Sequence, residues 1–158
     1  MFSHNTAPDE YDFGGSRARM LVSGEQSGGA LCMIEIQSPA GRATPMHRHQ
    51  HEDETIHILD GQLDVNIEGV VHTVREGETV TLQRGTAHQL VNNAATTVRY
   101  LVICAPAGFD GFVKTCSEAY TPGGQLAPPS DAAKEKMRAA APLFGITLMA
   151  PPAVTAKS

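Results

Sequence analysis

Four glycines stand at equal intervals of eight residues, Gly61, Gly69, Gly77 and Gly85, and each separates two short apolar runs. Short antiparallel strands joined by hairpins need a turn residue at every reversal, whereas a helix has no use for one at that interval. The runs cover 31–36, 55–59, 63–67, 70–74, 78–82, 89–92 and 98–103, and several alternate or are β-branched. The spacing predicts an all-β fold, an antiparallel sandwich or barrel over about residues 20–105. Length agrees, because 158 residues make one domain. With 41% hydrophobic and 18% charged residues, there is enough apolar material for one core and too little charge for a disordered chain.

After Pro106 the periodicity changes. Phe109, Phe112, Val113, Cys116 and Tyr120 fall at i, i+3, i+4, i+7 and i+11, which predicts a short amphipathic helix against the sheet. A Pro/Gly-rich connector over 121–129 leads to Ser130, an N-cap for a second helix over 131–141 that Pro142 ends, with the face around Met137 buried. Phe144, Ile146 and Leu148 alternate as a short edge strand. The chain thus divides into an N-terminal arm (1–19), a β-barrel (20–105), a helical and edge-strand extension (106–150) and a tail (151–158) with nothing to bury.

Charge and composition narrow the partners. Twelve Lys and Arg against seventeen Asp and Glu give a net charge of −5, which repels phosphate backbones. Trp is absent and aromatics are 5%, so stacking platforms for single strands are missing too. Nucleic acid is therefore not an expected partner. No apolar run approaches the ~18 residues that span a bilayer, and residues 1–14 carry neither Lys, Arg nor an apolar segment. The expectation is a cytoplasmic protein with no membrane partner. Cys32, Cys104 and Cys116 are odd in number and outside any CxxC spacing, so they read as buried apolar residues of a reducing compartment.

Four of the seven histidines fall within eleven positions, in the run His47-Arg48-His49-Gln50-His51-Glu52-Asp53-Glu54-Thr55-Ile56-His57. On a strand, alternate side chains share a face, so His47 and His49 project together with Cα atoms ~6.6 Å apart, right for two imidazoles on one ion. Glu54 can return a carboxylate after a short bend, and His88 on another strand can supply a third imidazole. Three nitrogens and one oxygen make a borderline site for iron, manganese, nickel, cobalt, copper or zinc.

These residues resemble the cupin superfamily. Its first motif, G-x5-H-x-H-x3,4-E-x6-G, is complete in Gly41, His47, His49, Glu54 and Gly61. Its second, G-x5-P-x-G-x2-H-x3-N, is met by Gly77, Gly85, His88 and Asn92, with Gln83 in place of the proline. The resemblance implies a cupin-type antiparallel β-barrel, a jelly roll with short C-terminal helices, in which His47, His49, Glu54 and His88 hold one divalent transition-metal ion per chain. The stretches His51-Glu52-Asp53-Glu54-Thr55, Ser23-Gly24-Glu25 with Gly28-Gly29-Ala30, and Pro106-Ala107-Gly108-Phe109 are similar to small single-domain cupins related to quercetin 2,3-dioxygenase. That likeness implies a dioxygenase acting on a small enolic or phenolic, flavonol-like substrate, with Glu54 as catalytic base as well as ligand. It also implies a homodimer. Two other classes are compatible with the same ligands: a non-redox metal-dependent enzyme (isomerase, lyase or hydrolase) and a non-catalytic small-molecule-binding cupin.

The remaining polar residues take plainer readings. His51 is read as a surface residue, and Glu52 and Asp53 as a solvated face, with one of them able to orient a ligand imidazole. His57, out of phase with Glu54, is read as an outward or interface residue. His4 and His72 lack partners in the sequence, and Arg42, Arg48 and Arg84 are surface charges. The inner wall draws on Met33, Ile34, Ile56, Ile58, Val65, Leu82, Leu90 and Phe112.

Overall fold

Each glycine of the eight-residue series sits at a strand reversal, but only the reversal at Gly69 is the expected hairpin; those at Gly61, Gly77 and Gly85 carry the chain from one sheet to the other. In the computed structural model, which describes residues 2–150, strands β5 (Asp53–Asp60), β6 (Gln62–Ile67), β7 (Val70–Arg75) and β8 (Thr79–Leu82) follow one another with a glycine at each reversal. Between β6 and β7 the loop is two residues long, since Ile67 pairs with Val70. Both loop residues have positive φ, 50° at Glu68 and 93° at Gly69. A type I′ turn needs that conformation to match the twist of its strands, and glycine adopts it without steric cost.

The other strands are β1 (Glu10–Phe13), β2 (Ser16–Val22), β3 (Cys32–Ser38), β4 (Met46–His49), β9 (His88–Val91), β10 (Val98–Ala105), β11 (Glu118–Ala119) and β12 (Ile146–Met149). They form two antiparallel sheets, one of seven strands in the order β11-β1-β2-β3-β10-β5-β8 and one of five in the order β12-β4-β9-β6-β7. The fold is an all-β jelly roll. Period-two alternation turns Ile34, Ile56 and Ile58 of the first sheet and Leu63, Val65 and Leu90 of the second into one core. Each such side chain contributes ~1.5–3 kcal/mol by leaving water. Met33 departs from the expected wall, because it holds the opposite phase of β3 and is only half-buried.

Strand structure begins earlier than the apolar runs indicate. In β2 the buried Ala18 and Met20 alternate with Arg17 and Arg19, whose charges meet Glu10 and Glu35 on the outer side of the sheet. The polar alternates hide the strand from a search for apolar runs.

Helix α1 (Phe109–Cys116) buries Phe109, Phe112, Val113 and Cys116, but Tyr120 is not on its face. The chain turns extended at Ser117 and pairs β11 with β1, which leaves the Tyr120 ring beneath the Arg17 guanidinium. Helix α2 (Asp131–Ala140) starts as expected, with the Ser130 hydroxyl accepting from the Ala133 N–H at 3.1 Å. Met137 is half-buried against the core. Phe144 closes a 3-10 turn, Ala141–Phe144, and does not join β12, which pairs with β4. All three cysteines are buried and unlinked, with Cys32 opposite Cys104 across β3 and β10. The stretch 151–158, read as a loose tail, lies outside the described residues. Among the described residues no helix is long and apolar enough to cross a membrane.

Candidate metal centre

Both sheets contribute to one cluster. Strand β4 carries His47 and His49 on one face, held by β12 on one side and by β9 on the other, where His47 pairs with His88. Glu54 comes from β5 in the opposite sheet, between Cys104 of β10 and Leu82 of β8. The four side chains are buried, and each offers a ligand atom within 4.8 Å of the others. The sequence spacing therefore closes in space as expected.

Each imidazole is fixed through its Nδ1. That of His47 lies 2.8 Å from the Pro45 carbonyl, that of His88 2.9 Å from the Thr86 carbonyl, and that of His49 2.9 Å from the Glu52 carboxylate. These partners only accept, so Nδ1 donates in each ring and Nε2 is the atom that, once deprotonated, turns its lone pair to the centre of the cluster. The turn before His88 holds firm without the family's proline. Gln83 accepts from the Thr86 N–H, and the Gly85 N–H donates to the His49 carbonyl at 2.7 Å. That second bond ties the two ligand strands together. Asn92, fully buried, donates to Ser38 and Thr96 and accepts from Ala94, so its place in the motif is structural.

Whether a metal fits is decided by atoms without partners. Glu54 Oε2 lies 2.8 Å from His88 Nε2 and 3.3 Å from His49 Nε2, yet none of the three is aligned for a hydrogen bond and all are buried. Such groups are costly to bury unsatisfied. A divalent cation among them satisfies all three, and three neutral nitrogens with one carboxylate suit a borderline transition metal.

Proton affinities show the same competition. Burial, with the neighbouring His88 imidazole, lowers His47 to about 4. Burial also pulls on His49, but the Glu52 and Glu54 carboxylates overcome it and raise that imidazole to about 9. For Glu54, burial pushes upward and the His49 and His88 contacts win, holding the carboxyl well below the usual range.

Glu52 is a correction. It is 2% exposed, not part of a solvated face, and it orients His49; Asp53, half-exposed and paired with Arg84, does lie on the surface. Arg42 is also not a free surface charge, since it is half-buried and donates to the Gly15 and Leu126 carbonyls. His51, Arg48, His4 and His72 are exposed, and His57 faces away from the cluster onto Thr79.

The cluster forms the floor of a cavity of about 580 Å³, reached by His47 and Glu54 and otherwise mainly apolar. Phe109 of α1 packs edge-on against the His49 ring at 5.3 Å and closes the site from that side. Tyr100 lines the same cavity. The sequence reading passed over it, although the inward phase of β10 that carries Val98, Val102 and Cys104 includes it.

Comparison with known proteins places these observations. Residues 34–104 match the family model of the cupin domain. The chain is similar to quercetin 2,3-dioxygenase of Bacillus subtilis (strain 168), 28% identical over 80 residues that make up 51% of this chain and 24% of that protein. It therefore spans about a quarter of that relative's length. Among solved structures it is similar to an RmlC-like cupin from Shewanella frigidimarina NCIMB 400 (21% identity, TM-score 0.58, covering 70% of this chain and 94% of the other). It is also similar to the polyketide cyclase RemF from Streptomyces resistomycificus (22%, 0.56, 66% and 78%) and to KdgF from Halomonas sp. (16%, 0.55, 61% and 84%). At these identities the structural likeness is one of fold.

Proposed function

This chain is a member of the cupin superfamily through residues 34–104, and from that premise we propose that His47, His49, Glu54 and His88 hold one divalent transition-metal ion in a dioxygenase site for a small enolic or phenolic, flavonol-like substrate. One observation carries the reading: of the four clustered side chains, His47 and the carboxylate of Glu54 face an apolar cavity large enough for a small aromatic molecule. The similarity to quercetin 2,3-dioxygenase supports the substrate class. When bound, the ion supplies Lewis acidity to a hydroxyl at that end of the cavity and an electron route to dioxygen.

The chain's own residues do the rest. The fixed Nδ1 contacts hold the imidazoles without reorganisation. The cavity walls and Phe109 keep bulk water from the floor. Glu54, an ionised carboxylate facing the cavity, accepts the substrate's proton, and the hydroxyl must be one whose acidity a bound ion can bring within reach. Enols and phenols meet that requirement; simple alcohols do not.

The test is dioxygen consumption per bound metal for the wild type and Glu54→Gln, after a screen of flavonols, catechols and β-diketones. A positioned base is worth ~10²- to 10⁴-fold in rate, so turnover per metal should fall by that much. Equal rates per metal would remove the base role, and turnover without dioxygen uptake would move the site to the isomerase, lyase or hydrolase class.

A further inference from the structure

Beyond the metal cluster, the cavity wall carries a phenol set among apolar side chains. Tyr100 is 4% exposed, on the inner face of β10, and its neighbours along the wall include Ile36, Leu63, Leu90 and Val102. A buried phenol normally finds a hydrogen-bond partner. Asn92, just past β9 in the other sheet, makes three bonds, and Glu35 on the outer side of the sheet meets Arg19 and Arg99. Among the described residues the Tyr100 hydroxyl makes no hydrogen bond, and its oxygen is not sealed in the protein but opens onto the cavity. Burial, reinforced by the Glu54 carboxylate, pushes the phenol upward, so the group stays neutral and donates.

The backbone also gives way at this residue. The ladder between β10 and β5 slips between Arg99 and Tyr100: Arg99 pairs with Asp60 and Tyr100 with Ile58, which leaves Leu59 without an opposite number. A bulge of this kind re-aims side chains and is common beside functional sites. Further along the same face, Cys104 pairs with Glu54. Tyr100 therefore stands two inward positions from the Glu54 level, ~13 Å along the strand.

We propose that Tyr100 is a substrate-recognition residue whose hydroxyl donates a hydrogen bond to a second oxygen of the substrate, set back across the ring system from the hydroxyl that meets Glu54. This rests on the reading of the site as one for flavonol-like compounds and deepens it. The substrate class becomes one with oxygen functions at both ends of a flat apolar body. A hydrocarbon of the same outline fills the cavity but leaves the phenol unpaired.

The probes are quercetin, which carries oxygens on every edge, and 2-phenylnaphthalene, which has the same ring layout and no oxygen. Both are titrated without oxygen into the zinc-loaded full chain, which contains no Trp to mask ligand fluorescence. Tyr100→Phe keeps the ring and should weaken quercetin by about 2- to 12-fold, the net worth of one hydrogen bond, while 2-phenylnaphthalene binds as well or better. A merely structural role would move both ligands together. Equal shifts for the two, or no shift for quercetin, overturn the assignment of Tyr100 alone. Failure of the wild type to bind quercetin overturns the flavonol reading and this inference with it.

Discussion

Replacing Glu52 by Gln removes a charge that never reaches the cavity and tests how the cluster is tuned. In the wild type the Glu52 carboxylate accepts from His49 Nδ1 at 2.9 Å, both groups being 2% exposed. A hydrogen bond to a charged acceptor is worth ~1.5–3 kcal/mol against ~0.5–1.5 for a neutral one. The substitution therefore costs about 1–1.5 kcal/mol of ligand basicity, or about 5- to 13-fold in metal affinity. Protons compete for the same nitrogen. With His49 raised to about 9, a solution at pH 7 lies two units below it, and the wild type gives up about a hundredfold of its intrinsic affinity. Removing the Glu52 charge lets burial pull His49 down, and each unit of that fall relieves tenfold of the competition at pH 7. Above pH 9 no such relief exists. The variant should accordingly bind zinc 5- to 13-fold more weakly at pH 9.5, with the deficit shrinking or reversing at pH 7. Competition against a chromophoric chelator at both pH values measures this. A variant within twofold of wild type at pH 9.5, or a deficit identical at the two pH values, refutes the reasoning.

Two further outcomes follow from the scaffold. Asn92→Ala deletes the three hydrogen bonds of a fully buried side chain and should cost about 3 kcal/mol, seen as a melting temperature lowered by roughly 6–12 °C; a drop under ~2 °C would show that these bonds are dispensable. We also expect a homodimer joined along β7, the outer strand of the five-stranded sheet, where Val70 and Val71 are each 59% exposed. Sedimentation at micromolar concentration should give a dimeric mass for the wild type and a monomeric one when both valines become Lys, and a monomeric wild type would end that expectation.

The ligand set was legible because its information is local. The x in H-x-H is the strand period, and the turn glycines count strand lengths, although only Gly69 closes a hairpin and the sheet crossings at Gly61, Gly77 and Gly85 are not written in the spacing. Glu52 was harder to read. In the sequence it belongs to an acidic run and resembles a solvated face; only the fold of β5 against β4 and the lid of α1 take it out of water. Tyr100 was hidden for the opposite reason, since an aromatic residue on a strand fits any core, and its unpaired hydroxyl becomes visible only when its surroundings are known. The strand over Ser16–Val22 escaped because Arg17 and Arg19 supply its outer face, and their partners, Glu10 and Glu35, are set by sheet order. Tyr120 continued a helical period that the chain abandoned at Ser117 to make β11.

The position of the cluster in its cavity governs traffic. His49 and His88 have protein behind them, while His47 and Glu54 alone look onto the open space. Under the proposed function an ion and an organic ligand would share this opening, with the ion the deeper of the two. The ion would then have to enter first, and the ligand that follows would block its way out. Loading is then a matter of sequence in time: an occupied protein should surrender its ion to a chelator only as fast as the organic ligand departs, and the metal acquired before the first ligand should persist for as long as ligand remains in supply.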